Sequence, residues 1–218
     1  MDYRGPQTAD FQNIEVLNAG FIGLLHGNPG RASALLAGLP EVLQQRLLGL
    51  SVLQRERLAK TPFLLFSFRE ADSQYWEQLF GAGPVGCLFD KAPAPGIKET
   101  ELLAAALGFL WQLARDNAYA ARLVCSASLH WCELLAERPL LEVIATAARA
   151  DVIRLRHKSD AKLWRKLLHA GVAGEPAIRR AARVCALQTL LTENTQAQPA
   201  RAARLMRQTL KVAESNEP

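Results

Sequence analysis

The densest chemistry in this chain is cationic. Arg149, Arg154, Arg156, His157, Lys158, Lys162, Arg165, Lys166 and His169 fall within one short stretch. Cations at this density neutralise phosphates, and affinity built on them falls as salt rises. A helix starting at Asp160 would set Lys162, Arg165 and Lys166 on adjacent turns and add its own free backbone N–H groups. Nearer the end, Arg201, Arg204, Arg207 and Lys211 recur every three or four residues, with Leu205, Met206 and Leu210 opposite. A basic amphipathic helix suits nucleic acid, an acidic protein or a membrane surface. The plainer alternative is a surface helix docked through its apolar residues, and for 149–169 a solvated basic face. The candidate nucleic-acid-binding set is therefore Arg149, Arg154, Arg156, Lys158, Lys162, Arg165, Lys166, Arg201, Arg204 and Arg207. Arg179, Arg180 and Arg183 add to the same basic half.

Other chemistries find little support. The four cysteines, Cys87, Cys125, Cys132 and Cys185, form no C-x-x-C pair and lack zinc spacing. Cys125 and Cys132 share one helical face, as buried thiols acting as small hydrophobes would. His130 and Cys132 lie on different faces, and no two-histidine metal motif occurs. Glu133, Glu137 and Glu142 have the spacing of helix-surface residues rather than of paired acid–base groups. No G-x-S-x-G or phosphate-cradling glycine loop is present. The expectation is a non-enzyme with no catalytic residue, no metal and no cofactor.

Charge divides along the chain. Residues 1–99 hold nine Lys/Arg and ten Asp/Glu, whereas residues 100–218 hold seventeen and eleven. The overall +5 of this 218-residue chain thus comes from its second half, an asymmetry that points to an anionic partner. Half the residues are hydrophobic and Ala and Leu dominate, which favours helix and allows a sizeable core. No apolar run approaches the roughly 18 uncharged residues of a membrane span. The first residues lack a basic segment leading into an apolar one, so a cytoplasmic location without membrane contact is expected.

These cations must be positioned by helices, and the helices come in two related sets. Displaced by 88 positions, Gly20–Gly83 lies on Gly108–Gly171 without a gap. Gly20-Phe21 meets Gly108-Phe109, and Leu25, Ala32, Leu35, Leu47, Leu53, Ala59 and Asp72 each meet their own kind. Trp76-x-x-Leu79-x-x-Ala82-Gly83 meets Trp164-x-x-Leu167-x-x-Ala170-Gly171. About a fifth of the paired positions are identical, and the shared tryptophans point to a common core helix. Trp111 and Trp131 are unrepeated and fit core positions on helices. The basic stretch is not shared, because its counterpart holds Pro62, Phe66, Ser67, Arg69, Glu70, Gln74, Glu77 and Gln78, with one cation among them.

In the first unit, an apolar stripe through Phe11, Ile14, Leu17, Phe21, Leu24 and Leu25 predicts a helix from about Thr8 or Asp10 to Leu25. Short helices follow at Arg31–Gly38, from Pro40, and at Val52–Lys60 behind an N-capping Ser51. Residues 63–68 predict an extended segment or short strand, with a buried helix start as the alternative. Asp72 or Ser73 caps the helix that carries Trp76. In the second unit, helices are expected at Lys98–Asp116, Ala118–Glu137, Pro139–His157 and Asp160–Ala170, then Pro176 to about Leu191 and Arg201 to about Val212. The domain plan is one unit over 8–83, a Pro/Gly-rich connector over 84–97, a second unit over 98–171 and basic helices over 175–213.

The first unit reads Arg31-Ala32-Ser33-Ala34-Leu35-Leu36-Ala37-Gly38-Leu39, then Leu47, Leu50-Ser51, Leu58-Ala59-Lys60-Thr61, Leu64 and Phe66-Ser67-Phe68-Arg69. In this order of segments it resembles the FlhD family, a subunit of the flagellar master transcription activator. The resemblance covers roughly residues 12–80, and the second unit shares it only through the first. It implies an all-α fold of two tandem FlhD-like repeats packed pseudo-symmetrically, with C-terminal helices added. It also implies a transcriptional regulator that meets DNA, or a DNA-binding protein partner, through its basic half. A helical protein–protein adaptor without DNA contact is the alternative. Family members pair as dimers and act with FlhC, whereas this chain is about twice as long, so a tandem copy would replace a second subunit. Phe66 stands where enteric members carry a cysteine, which removes an intersubunit disulfide there, and the zinc-type cysteine cluster of FlhC is absent.

Overall fold

The computed structural model describes residues 5–81, 97–147 and 152–189. Arg149, Arg201, Arg204, Arg207, Cys87, residues 84–96 of the connector and the expected helix from Arg201 lie outside them. The described chain is mostly helical, as its Ala/Leu content predicts. Helix α1 (Thr8–Gly27) buries Ile14, Leu17, Phe21, Leu24 and Leu25, while Phe11 at its start stays exposed. Asn28 breaks the helix and its side chain caps the next one, accepting from Arg31 N at 3.0 Å. Helices α2 (Pro29–Leu36), α3 (Glu41–Leu48) and α4 (Val52–Ala59) follow. Ser51 and Gln54 form a reciprocal capping box at the head of α4. Residues 63–68 are extended, with β1 at Phe66–Ser67, and α5 covers Ser73–Gly81.

The second half departs from the helices expected of it. Helix α6 (Ile97–Cys125) is interrupted by Asn117, whose backbone is extended and whose side chain caps Ala120 N at 3.1 Å. The expected helix Ala118–Glu137 is two helices, because Ser126 adopts a left-handed backbone and Ser128 starts α7 (Leu129–Ala136) as an N-cap. The expected helix Pro139–His157 is likewise wrong. Helix α8 ends at Thr146 (Leu140–Thr146), and residues 152–156 run alongside the first half, with β2 at Arg154–Leu155. β-Branched Val152 and Ile153 favour that extended path. Helix α9 (Ala161–His169) starts behind Asp160 as expected, and α10 covers 176–189.

The corrected elements fall at one constant spacing. Helices α3, α4 and α5, and strand β1, begin 88 positions before α7, α8, α9 and β2. The left-handed residues Gly38 and Arg69 precede Ser126 and His157 by the same interval. Trp76 Nε1 donates to Phe68 O at 3.1 Å, and Trp164 Nε1 to Arg156 O at 2.9 Å, again equivalent pairs. Strands β1 and β2 pair antiparallel in the register Phe66 to Leu155 and Ser67 to Arg154, which the same displacement maps onto itself.

Packing crosses between the halves. Helix α1 lies against α4 and α6, α9 packs on α3, and α5 on α8. Trp76 of α5 meets Trp131 of α7 edge-to-face at 5.6 Å, and Phe21 stacks on Phe66 at 5.0 Å. All four tryptophans are buried, as expected of core residues. One contiguous apolar cluster therefore serves both halves.

Candidate nucleic-acid interface

Helix α9 sorts its residues by face. Leu163, Trp164, Leu167 and Leu168 are buried, while Lys162, Arg165, Lys166 and His169 are exposed. The spacing three, four and seven puts those four on one outward face. Lys158 is exposed in the preceding turn, with its aliphatic stem near Gly38. Four formal cations of the candidate set thus share one region: Lys158, Lys162, Arg165 and Lys166. The positions 88 earlier are Glu70, Gln74, Glu77 and Gln78, so the equivalent face on α5 carries no cation at these sites. Lys166 and His169 also sit in the last turn of α9, where the helix dipole favours positive charge.

Three expectations need correction. Arg156 does not face solvent; only 3% of it is exposed. Its guanidinium donates to Leu64 O at 2.6 Å, to Phe66 O at 2.7 Å and 3.1 Å, and to Cys125 O. It also meets the buried Glu70 carboxylate at 2.8 Å, and the second Glu70 oxygen accepts from Phe68 N at 2.6 Å. Nε and Nη2 tie the second half to the first and Nη1 ties it to the end of α6, leaving no branch for a phosphate. Arg154 is half-buried in β2, and its Nη1 donates to Ile153 O at 2.8 Å. The N–H groups at the start of α9 are engaged too, since Asp160 Oδ1 accepts from both Lys162 N and Leu163 N.

His157 adds no positive charge at neutral pH. Burial, with help from the neighbouring Arg156 guanidinium, lowers its pKa to about 4, against a smaller opposing pull from Asp160. Cys125 and Cys132 are buried and free, and burial first, then the adjacent Cys132, pushes the Cys125 thiol well above its usual range. Among the described residues, no group of three or more His, Cys, Asp or Glu is placed to hold a metal ion. Nor is any helix among them long and apolar enough to cross a membrane.

Several polar residues that matter escaped the spacing arguments. Asn18, fully buried in α1, donates to Ala59 O, Thr61 O and Phe63 O at 3.1, 3.3 and 2.9 Å and accepts from Leu65 N at 2.9 Å. It satisfies the irregular backbone between α4 and β1, which has no helical partners of its own. Glu70 was visible only as the counterpart of Lys158. One signal for Arg156 did exist: its counterpart at the 88-residue spacing is Phe68, inside the apolar run 63–68, which marks a core position. Comparison of the chain with protein-family models, curated proteins and solved structures finds no match.

Proposed function

We propose that this chain is a non-enzymatic transcriptional regulator built from two FlhD-like units fused in tandem, and that it contacts DNA, or a DNA-binding partner, through the exposed face of α9. The observation that carries the proposal is the charge difference between two equivalent helices. Both bury the same Trp/Leu face, yet only α9 turns Lys162, Arg165 and Lys166 outward, where α5 turns Gln74, Glu77 and Gln78. Common packing needs explain the shared face; they do not explain the divergent one. The element spacing and the self-mapping strand register support duplication, and the resemblance of residues 12–80 supports the regulatory role.

The test is binding of the purified chain to duplex DNA across a salt series. If Lys158, Lys162, Arg165 and Lys166 each neutralise a phosphate, log affinity should fall against log salt with a slope of about −3 to −4. Arg165→Glu/Lys166→Glu should weaken binding on every sequence and roughly halve that slope. Absence of binding at low salt would reject autonomous DNA contact.

A second reading, a protein-interaction adaptor, has its own observation. Leu53 and Leu141 occupy equivalent first-turn positions on α4 and α8 and are 54% and 65% exposed. Val42, Leu48 and Val52 add exposed apolar surface around the α3–α4 turn. Under this reading Leu53→Asp would abolish partner capture while Arg165→Glu/Lys166→Glu would not.

A further inference from the structure

Helix α10 follows the last of the paired elements, and it docks where α4 ends. Arg179, Arg180 and Arg183 lie in its first two turns. This placement breaks two local rules together. Cations near a helix N-terminus oppose the dipole. Like charges three and four residues apart repel. Arg57 of α4 then brings a fourth guanidinium to the same place, its Nη1 donating to Val172 O at 3.2 Å.

Their acceptors are all neutral. Arg179 Nη1 donates to Ala173 O at 2.7 Å and Gly174 O at 2.6 Å, and Arg183 Nη2 to Arg57 O at 2.9 Å. Among the described residues, none of these four arginines has a carboxylate within 4.0 Å. Glu15, which acts on Arg183 from further away, is instead 3.6 Å from Lys60. The Arg183 Nε is buried without an acceptor. Burial, and next the Arg179 charge, lower the Arg183 pKa against a smaller opposing pull from Glu15.

Beside these guanidiniums runs a groove of about 370 Å³, whose apolar lining is Pro62, Pro176, Val184 and Leu187. Val184 is 52% exposed. A space of this size takes a few side chains and not a duplex. Its cations are all arginine, whose planar fork suits carboxylates and protein interfaces. The cations of the α9 face are mostly lysine. Places where local rules fail together are expected to be functional or strained sites.

We propose that this groove is a docking site for an acidic peptide segment of a protein partner. One or two apolar side chains of that segment fill the space over Val184 and Leu187, and its Asp or Glu residues pair with Arg179, Arg180 and Arg183. This site is separate from the α9 face and does not depend on DNA binding.

The experiment is selection of a displayed library of random peptides on the full chain. Enriched peptides should combine Asp or Glu with large apolar residues. Their binding should drop about tenfold or more in Arg180→Glu/Val184→Asp, two exposed positions whose replacement should leave the thermal melt unchanged. In the unaltered chain, bound peptide should slow amide exchange over residues 57–62 and 176–187. Arg165→Glu/Lys166→Glu should leave peptide affinity as it was. The proposal is overturned by failure to enrich acidic peptides, by equal affinity in the Arg180→Glu/Val184→Asp chain, by exchange protection elsewhere, or by full displacement of the peptide with short duplex DNA.

Discussion

Arg156 shows how the interior assigns a charge its role. A buried guanidinium is tolerated only with a carboxylate and enough acceptors to replace water. Glu70 supplies the first, and the carbonyls of Leu64, Phe66 and Cys125 the second. Removing one partner leaves the other charge buried and alone. Glu70→Ala should therefore destabilise the fold by about 3–5 kcal/mol, read as a lower denaturant midpoint. Arg156→Leu should cost a similar amount, because it strands three carbonyls as well as Glu70. Arg156→Leu/Glu70→Leu should cost less than the two single losses added, the sign of direct coupling.

His157 should make the fold sensitive to mild acid. Its pKa in the folded chain, about 4, lies below its ordinary unfolded value of about 6.5. Between those values the unfolded chain holds more protons, so stability rises with pH across that window and is lost as pH falls through it. His157→Asn removes the titration and suits the left-handed backbone at φ 45°. Melting temperatures of the two chains measured from about pH 7 to pH 4 should diverge, with His157→Asn falling less. Parallel curves would show that His157 is not the group responsible.

At the scale of elements, the turns after α2 and α6 need the same left-handed residue but fill it differently. Gly38 adopts φ 97° at no steric penalty, whereas Ser126 holds φ 51° with a side chain present. Left-handed backbone costs a non-glycine residue about 1–2 kcal/mol, and glycine loses about 0.5–1 kcal/mol more chain entropy on folding. Ser126→Gly should therefore raise stability by about 0.5–1 kcal/mol. Gly38→Ala should lower it by about 1 kcal/mol through strain alone, because a Cβ there meets only the Lys158 stem at 3.8 Å. Thermal melts of the two variants, moving in opposite directions, would check both.

At the scale of the molecule, neither half completes its own core. Helix α9 covers α3, α5 covers α8, and the Trp76–Trp131 contact joins one half to the other. Residues 1–83 expressed alone should lack a cooperative melt. Self-pairing of that half would place Phe68 where Arg156 stands, burying Glu70 without its cation. Co-expressed as residues 1–88 and 89–218, the halves should co-purify and melt together, which size-exclusion chromatography and circular dichroism would show. A monomeric, cooperatively folding 1–83 would contradict the interlocked arrangement.

What the sequence determined by itself was local or repeated. Leu/Ala periodicity set the helical class, Ser51 and Asp160 marked helix starts, the short apolar run after Pro62 marked the break at 63–68, and the 88-residue displacement located the paired tryptophans. These signals survive because capping and amphipathicity act within a turn or two of chain. The same displacement, applied from the first unit to the second, would also have split Ala118–Glu137 at the partner of Gly38 and ended α8 before the partner of Phe66. Helical periodicity alone ran through both breaks, since short apolar runs read alike as helix or strand. Only the tertiary structure decided which cations are free. Arg156 is taken by carbonyls and a carboxylate 31 to 92 positions away, and Arg183 reaches across 126 positions to Arg57. A charged side chain goes where its counter-charge and acceptors lie, and in this chain that depends on which distant backbone the fold brings alongside it.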